Sequence, residues 1–218
     1  MNVVVTCGPS YEPIDQARRV TNFSTGRLGI ALSNAFVARG WHVTCLKGEQ
    51  ATCADPLHAQ RVLPFSTNDD LTAKLARLAA EGGWNAVFHA AALCDFRVER
   101  VLGENGAVLD SPKFSTRDGR LNLVLAPAVK VLPQLRGLFP AARIVGWKYE
   151  LAGTRANAFE QAWAQLANCQ TDACVLNGAA YGDGFAFCCP GTVRTCADAV
   201  ALADWLGRWL ETAPELRR

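Results

Sequence analysis

Three consecutive β-branched residues, Val3-Val4-Val5, open the chain, and apolar runs of this kind return at intervals between amphipathic stretches. A strand that is apolar at successive positions has no face to offer water, so it belongs inside a sheet covered on both sides. Segments 42–46, 61–65, 85–92, 121–125, 142–147 and 172–177 read as further strands. Segment 27–39 carries Leu28, Ala31, Leu32, Ala35 and Phe36 at helical spacing, with Gly40 as its C-terminal cap. Thr67-Asn68-Asp69-Asp70 starts a second helix with the stripe Leu71, Leu75 and Leu78. A helix is expected around 127–138, kinked or delayed by Pro133. Another is expected over 154–168, with Ala156, Phe159 and Trp163 on one face. Residues 184–195 suggest a hairpin, and 196–210 a closing helix with Leu202, Leu206 and Trp209 inward. Strands alternating with helices predict an α/β fold: a doubly wound, mostly parallel sheet with helices on both faces, in a single domain over 1–218. Half of the 218 residues are hydrophobic, enough for one such core.

Ligands of these sheets bind beyond the carboxyl ends of the strands. The first such end is unusual. Residues 6–29 read T-C-G-P-S-Y-E-P-I-D-Q-A-R-R-V-T-N-F-S-T-G-R-L-G, with an acidic pair (Glu12, Asp15), two arginines (Arg18, Arg19) and the cluster Asn22, Ser24, Thr25. A strand leading through a polar loop into a helix aims backbone N–H groups and the helix dipole at one place, which favours an anion such as phosphate. The loop is much longer than an ordinary dinucleotide turn. Three more segments fall at the same sheet edge. In Ala90-Ala91-Ala92-Leu93-Cys94-Asp95-Phe96-Arg97 the small residues admit close ligand approach, and Asp95 either holds magnesium against phosphates or caps a strand-end turn. In Ser111-Pro112-Lys113-Phe114-Ser115 the lysine is either a solvated loop residue or a cation for developing phosphate charge. The third is Val145-Gly146-Trp147-Lys148-Tyr149-Glu150.

Other classes are disfavoured. The net charge is +2 with no long basic run, so nucleic acid is not an expected partner. No apolar stretch reaches the roughly 18–20 residues of a membrane span, and the N-terminus shows no secretory signal. Nine cysteines, an odd number without a C-x-x-C, read as reduced thiols in small buried sites of a cytoplasmic protein. With histidines only at 42, 58 and 89, no zinc site is expected.

The stretch E-P-I-D followed by R-x-x-T-N-x-S-T-G resembles the opening of the phosphopantothenoylcysteine synthetases. Ala90–Arg97 resembles that family's A-A-V-x-D-F/Y-R, the Lys113 segment its K-I-K/S loop, and 145–150 its V-G-F-K-x-E-T; 172–177 resembles its D-x-V-V-A-N strand. The matches run in family order over about residues 1–180. The resemblance implies a Rossmann-like fold and a ligase of coenzyme A biosynthesis. A nucleoside triphosphate, CTP or ATP, activates the carboxylate of 4′-phosphopantothenate as an acyl-nucleotidyl intermediate, and the amine of cysteine then forms the amide. It further implies magnesium, a homodimer built through 98–120, and a stand-alone synthetase without the flavin decarboxylase often fused upstream. By position, Asn22 would hold the intermediate and Arg18 would lie near the substrate. Gly8, Ser24 and Gly26 would meet phosphates. Ala91, Ala92, Phe96, Trp147 and Lys148 would line the nucleotide site, Asp95 would bind the metal, and Lys113 would stabilise developing charge.

This chain departs from the family at Ser10-Tyr11, at Trp147 in place of Phe, and at Leu176-Asn177-Gly178 in place of A-N-D. The departures keep open a paralogue that joins or binds a different acid and amine. A nicotinamide-dependent reductase is the other alternative, although T-G-x-x-x-G-x-G and a Y-x-x-x-K pair are both missing.

Overall fold

The computed structural model describes residues 1–212. In chain order the elements are β1 (Asn2–Cys7), the short pair β2 (Tyr11–Pro13) and β3 (Arg19–Thr21), α1 (Arg27–Ala38), β4 (His42–Gly48), β5 (Arg61–Phe65) and α2 (Asn68–Glu81). They continue with β6 (Ala86–His89), β7 (Phe96–Leu102), β8 (Asn122–Pro127), α3 (Leu135–Leu138), β9 (Arg143–Tyr149), α4 (Arg155–Asn168), β10 (Ala173–Gly178), β11 (Gly182–Cys189), β12 (Thr192–Cys196) and α5 (Ala199–Thr212).

Among the described residues, eight strands form the main sheet in the order β12-β11-β10-β9-β6-β1-β4-β5. The six from β5 to β10 are parallel, and β11 and β12 close the far edge antiparallel. The expected doubly wound architecture is what the chain adopts. Val3, Val4 and Val5 are wholly buried, for the reason the sequence dictates. Val3 and Val5 face a core shared with Leu32 and Phe36 of α1 and Leu202 and Leu206 of α5. Val4 faces the opposite core, with Leu71, Leu75 and Leu78 of α2 and Leu135 of α3. A third cluster sets Ala158 and Ala162 of α4 against Cys174, Leu176 and Cys188.

The differences from expectation are local. Segment 127–138 is not one helix: β8 runs on to Pro127, a 3₁₀ turn spans Leu132–Gln134 with Pro133 in its first positions, and α3 is four residues long. Pro133 thus delays the helix. On α4 the buried face is Ala158 and Ala162, whereas Ala156 and Trp163 are exposed. Segment 98–120, whose mixed, Gly- and charge-rich sequence reads as a loop or a projecting hairpin, does agree with expectation: it belongs to a projecting ribbon, β7 paired antiparallel with β8 outside the main sheet. The long first loop folds into the β2–β3 hairpin, a regularity its polar sequence does not announce.

Helix α1 sits unusually close to β1. A Cβ on Gly29 would lie 2.2 Å from Cys7 Cβ, so only glycine fits at the crossing. Gly29→Ala is therefore expected to destabilise the fold by about 1–3 kcal/mol, the usual cost of overpacking, read as a lower urea midpoint at unchanged slope.

Candidate active site

The winding direction of the sheet reverses between β1 and β6, and the loops leaving these two strands stay paired beyond their ends. Pro9 and Ala92 form a parallel bridge. The Ala92 N–H donates to Gly8 O at 3.0 Å, and Ala92 O accepts from the Ser10 N–H at 3.1 Å. Asn22 Nδ2, from the far end of the loop, donates to the same Ala92 carbonyl at 3.1 Å. Thr21 Oγ1 donates to Ser10 O at 2.7 Å, and Ser10 Oγ accepts from the Cys94 N–H at 2.8 Å. Gly8, Asn22, Ala91 and Ala92 are thus drawn to one spot. Gly26 closes the loop with φ +80°, a left-handed conformation that favours glycine, and α1 begins there without a side-chain cap. Ser24 lies two residues before it, half-buried.

Beside this junction opens a cleft of about 260 Å³. Ala91, Leu93, Cys94 and Asp95 line it from the β6 end, Val129–Pro133 from the turn after β8, and Trp147 from β9. Asn68, His89, Gln165 and Cys169 complete the wall. Asn68, the first residue of α2, is buried and staples two strand-end loops: its Nδ2 donates to Cys94 O at 2.8 Å and to Val129 O at 2.9 Å. Both partners are acceptors, which fixes the amide orientation and leaves Oδ1 buried with no partner among the described residues. Trp147 Nε1 is likewise buried and unpartnered among them. An unmade hydrogen bond of this kind costs roughly 1–3 kcal/mol, and neither atom is open to solvent. At the rim, Lys130 Nζ forms an ion pair with Asp95.

The Lys113 segment reaches the same loop from the other side. Gln16 N–H donates to Pro112 O at 3.0 Å, Phe114 N–H to Asp15 Oδ2 at 3.2 Å, and Arg18 Nη2 to Phe114 O at 2.8 Å. Arg18 also donates to Asp15 at 3.0 Å. Of the expected residues, Ala91, Asp95 and Trp147 line the cleft. Gly8, Arg18, Asn22, Ser24, Gly26, Ala92 and Lys113 belong to the loops outside its lining, Lys148 pairs with Glu150 at 3.1 Å, and Phe96 is exposed on the ribbon.

Asn68, His89, Lys130 and Gln165 escape a reading of the sequence. They come from four separate elements, and each looks locally like a helix-start, strand or surface residue. The only available signal is the asparagine set just inside the α2 start, where the cap itself is already supplied by Thr67.

Burial favours the neutral form of the thiols along the cleft. Burial raises the pKa of Cys94, against a hydrogen bond with Ser10 that lowers it, and burial raises that of Cys169. Both stay protonated at neutral pH. His89 is buried and joined to Thr6 Oγ1 at 2.8 Å, and burial depresses its pKa to about 4. The chemistry this arrangement suits is the juxtaposition of anions by N–H donors and cations rather than covalent catalysis.

A doubly wound sheet with a donor-rich loop at its switch point and a cleft beside it is an architecture in which anionic small molecules bind. Residues 1–188 match the family described as the DNA/pantothenate metabolism flavoprotein C-terminal domain, and the chain belongs to that family. It is 30% identical over 188 residues to the coenzyme A biosynthesis bifunctional protein CoaBC of Mycolicibacterium smegmatis, covering 86% of this chain and 44% of the relative. To CoaBC of Thermococcus kodakarensis it is 26% identical over 176 residues, covering 80% and 40%. The chain therefore spans less than half the length of these relatives. A crystal structure of the DNA/pantothenate metabolism flavoprotein from Streptococcus pneumoniae superposes with a TM-score of 0.85 at 21% identity, covering 97% of this chain and 98% of that one. A mutant of Cab2 in complex with phosphopantothenate-cysteine superposes with a TM-score of 0.70 at 19% identity, covering 97% and 89%.

The depressed pKa of His89 has a consequence for stability. The folded chain keeps the ring neutral down to about pH 4, whereas the unfolded chain protonates near 6.5. The unfolded state binds the extra proton in that window, so stability is full above pH 6.5 and falls as pH drops toward 4. A His89→Gln variant should lose up to about 1.4 kcal/mol per pH unit of that dependence, measured by urea denaturation from pH 7 to pH 4.

Proposed function

We propose that the chain is a phosphopantothenate–cysteine ligase. A nucleoside triphosphate, CTP or ATP, is attacked at its α-phosphorus by the carboxylate of 4′-phosphopantothenate, and pyrophosphate leaves. The amine of cysteine then attacks the acyl-nucleotidyl carbonyl, forming the amide and releasing the nucleoside monophosphate. The observation that carries this reading is the meeting at Ala92. There the Asn22 amide and the Ser10 N–H share one carbonyl beside the cleft, and the loop that supplies Asn22 is bound to the Lys113 segment. Family membership and the bound compound of the Cab2 structure point the same way.

In this reading the junction brings carboxylate and triphosphate together, and Lys113 neutralises charge as pyrophosphate departs. Asn22 orients the intermediate, Arg18 faces the substrate, and Gly8, Ser24 and Gly26 offer backbone or hydroxyl donors to phosphates. Ala91, Ala92 and Trp147 frame the nucleotide, with Phe96 and Lys148 flanking it. No thiol or hydroxyl of the chain is required as nucleophile, in keeping with the protonated Cys94 and Cys169. Magnesium enters with the nucleotide. Among the described residues no three His, Cys, Asp or Glu side chains come together, and Asp95 is already paired with Lys130. These residues suit a metal delivered on the triphosphate, for which Asp95 is the carboxylate at the cleft rim. No flavin has a part in this reaction, and the cytoplasm supplies its substrates.

With phosphopantothenate, cysteine and magnesium, pyrophosphate release is expected with CTP or ATP and is expected to require phosphopantothenate. Lys113→Gln should lower kcat about 10²-fold, the scale of losing one transition-state charge partner. Folded protein that binds nucleotide yet releases no pyrophosphate would overturn the assignment in favour of a paralogue with another acid.

The active form is proposed to be a homodimer joined through the hairpin and the ribbon. Val20 and Phe23 on the first loop and Phe96, Leu123 and Leu125 on the ribbon are all exposed, Phe23 completely. These exposed apolar side chains are the proposed interaction surface. Sedimentation should give a dimer, and Phe23→Asp with Leu125→Asp should give a folded monomer; an unchanged mass for the double variant would rule out this interface.

A further inference from the structure

Asp15 sits in a polar surface loop, yet its side chain is wholly screened from solvent. Its carboxylate accepts four hydrogen bonds. Oδ1 takes the N–H groups of Ala17 at 2.8 Å and Arg18 at 2.7 Å, and Oδ2 takes Arg18 Nη1 at 3.0 Å and the Phe114 N–H at 3.2 Å. Three of these come from its own turn, from Ala17 and Arg18. The Phe114 bond crosses 99 positions of sequence to the residue after Lys113. Arg18, fixed by Asp15, returns a second bond to the Phe114 carbonyl, and Gln16 N–H binds the carbonyl of Pro112, the residue before Lys113. The Phe114 ring is buried while Lys113 itself remains exposed. Both neighbours of Lys113 are therefore tied to one turn, and the lysine side chain alone is left free to meet a ligand.

We propose that Asp15 is a positioning residue that holds Lys113 in its working place through Arg18 and Phe114. The inference rests on the ligase reading of Lys113. Burial opposes charge on Asp15, but the N–H groups of Ala17, Phe114 and Arg18 and the Arg18 guanidinium outweigh it and hold the carboxyl below its usual range. Charge-assisted bonds of this type are the stronger ones. A lysine whose backbone is already fixed loses less freedom when the transition state forms. Two N–H donors of the Arg18 fork, one to Asp15 and one to Phe114, are likewise spent inside the protein.

Two readouts on the full chain test this. By hydrogen exchange, Asp15→Ala should speed exchange of the amides in 113–117 about tenfold, a sign of local opening, and the conservative Asp15→Asn should speed it less. In pyrophosphate release, Lys113→Ala should cost about 10²-fold in kcat in the native background, but only a few-fold when Asp15→Ala is already present, because coupled residues are not additive. The KM for nucleotide should change little. Unchanged exchange in both Asp15 variants, or an equal Lys113→Ala cost in both backgrounds, would overturn the proposal. Native protein that releases no pyrophosphate would sink the ligase reading instead, and the exchange measurement would still decide whether Asp15 holds the segment.

Discussion

The backbone of Ala92 is the contact on which the site depends. Its N–H and carbonyl join the loops that leave β1 and β6, and the same carbonyl receives the amide of Asn22. Parallel strands ordinarily diverge beyond the sheet edge into separate crossovers. Here the pairing continues for a few residues past it, which sets two loops from distant parts of the sequence in one register. The long first loop folds back as a hairpin because Thr21 and Asn22 are anchored to Ser10 and Ala92. Once it folds back, its Asp15 turn is in position to grip the Lys113 segment. Fold and site are linked through this short stretch of extra ladder.

The architecture was legible because burial on both faces demands apolar residues at successive positions, and Val3-Val4-Val5 meets that demand without ambiguity. The β8–α3 region was not. Ala126-Pro127-Ala128-Val129-Lys130-Val131-Leu132 has apolar spacing that suits a helix, but the ribbon partner β7 takes Ala126 and Pro127 into a ladder opposite Arg97 and Phe96. Tertiary pairing overrode local pattern there. The same misreading hid Lys130, which as part of a helix would have seemed a solvated residue. On α4 the fully buried residues are the small Ala158 and Ala162, with Phe159 partly buried against the same cluster and Trp163 exposed; a pattern search weighted by hydrophobicity ranks the aromatics first.

The site divides in a similar way. The motif residues Gly8, Asn22, Ala91 and Ala92 are contiguous in two short segments and announce themselves. The cleft wall is assembled from α2, β6, the turn after β8, β9 and α4, and no local spacing connects Asn68 with Gln165 or His89. What brings them together is the order of strands, with β6 and β9 adjacent and their following helices on one face. Unpartnered atoms such as Asn68 Oδ1 become visible only after every neighbouring carbonyl has been assigned its donor.

The two faces of the sheet differ in a further respect. The α1–α5 side is aromatic, with Phe36, Trp41, Phe88 and Phe187 buried and Trp205 and Trp209 packed over them. The cleft lies beside the α2–α3 face, where leucine, valine and isoleucine outnumber the buried aromatics Phe65 and Phe139. Of the six tryptophans, Trp147 alone is among the residues lining the cleft. Its indole packs against the aromatic α1–α5 side while the residue itself borders the cleft, and a change in emission on adding nucleotide can be assigned to one residue by comparison with Trp147→Phe.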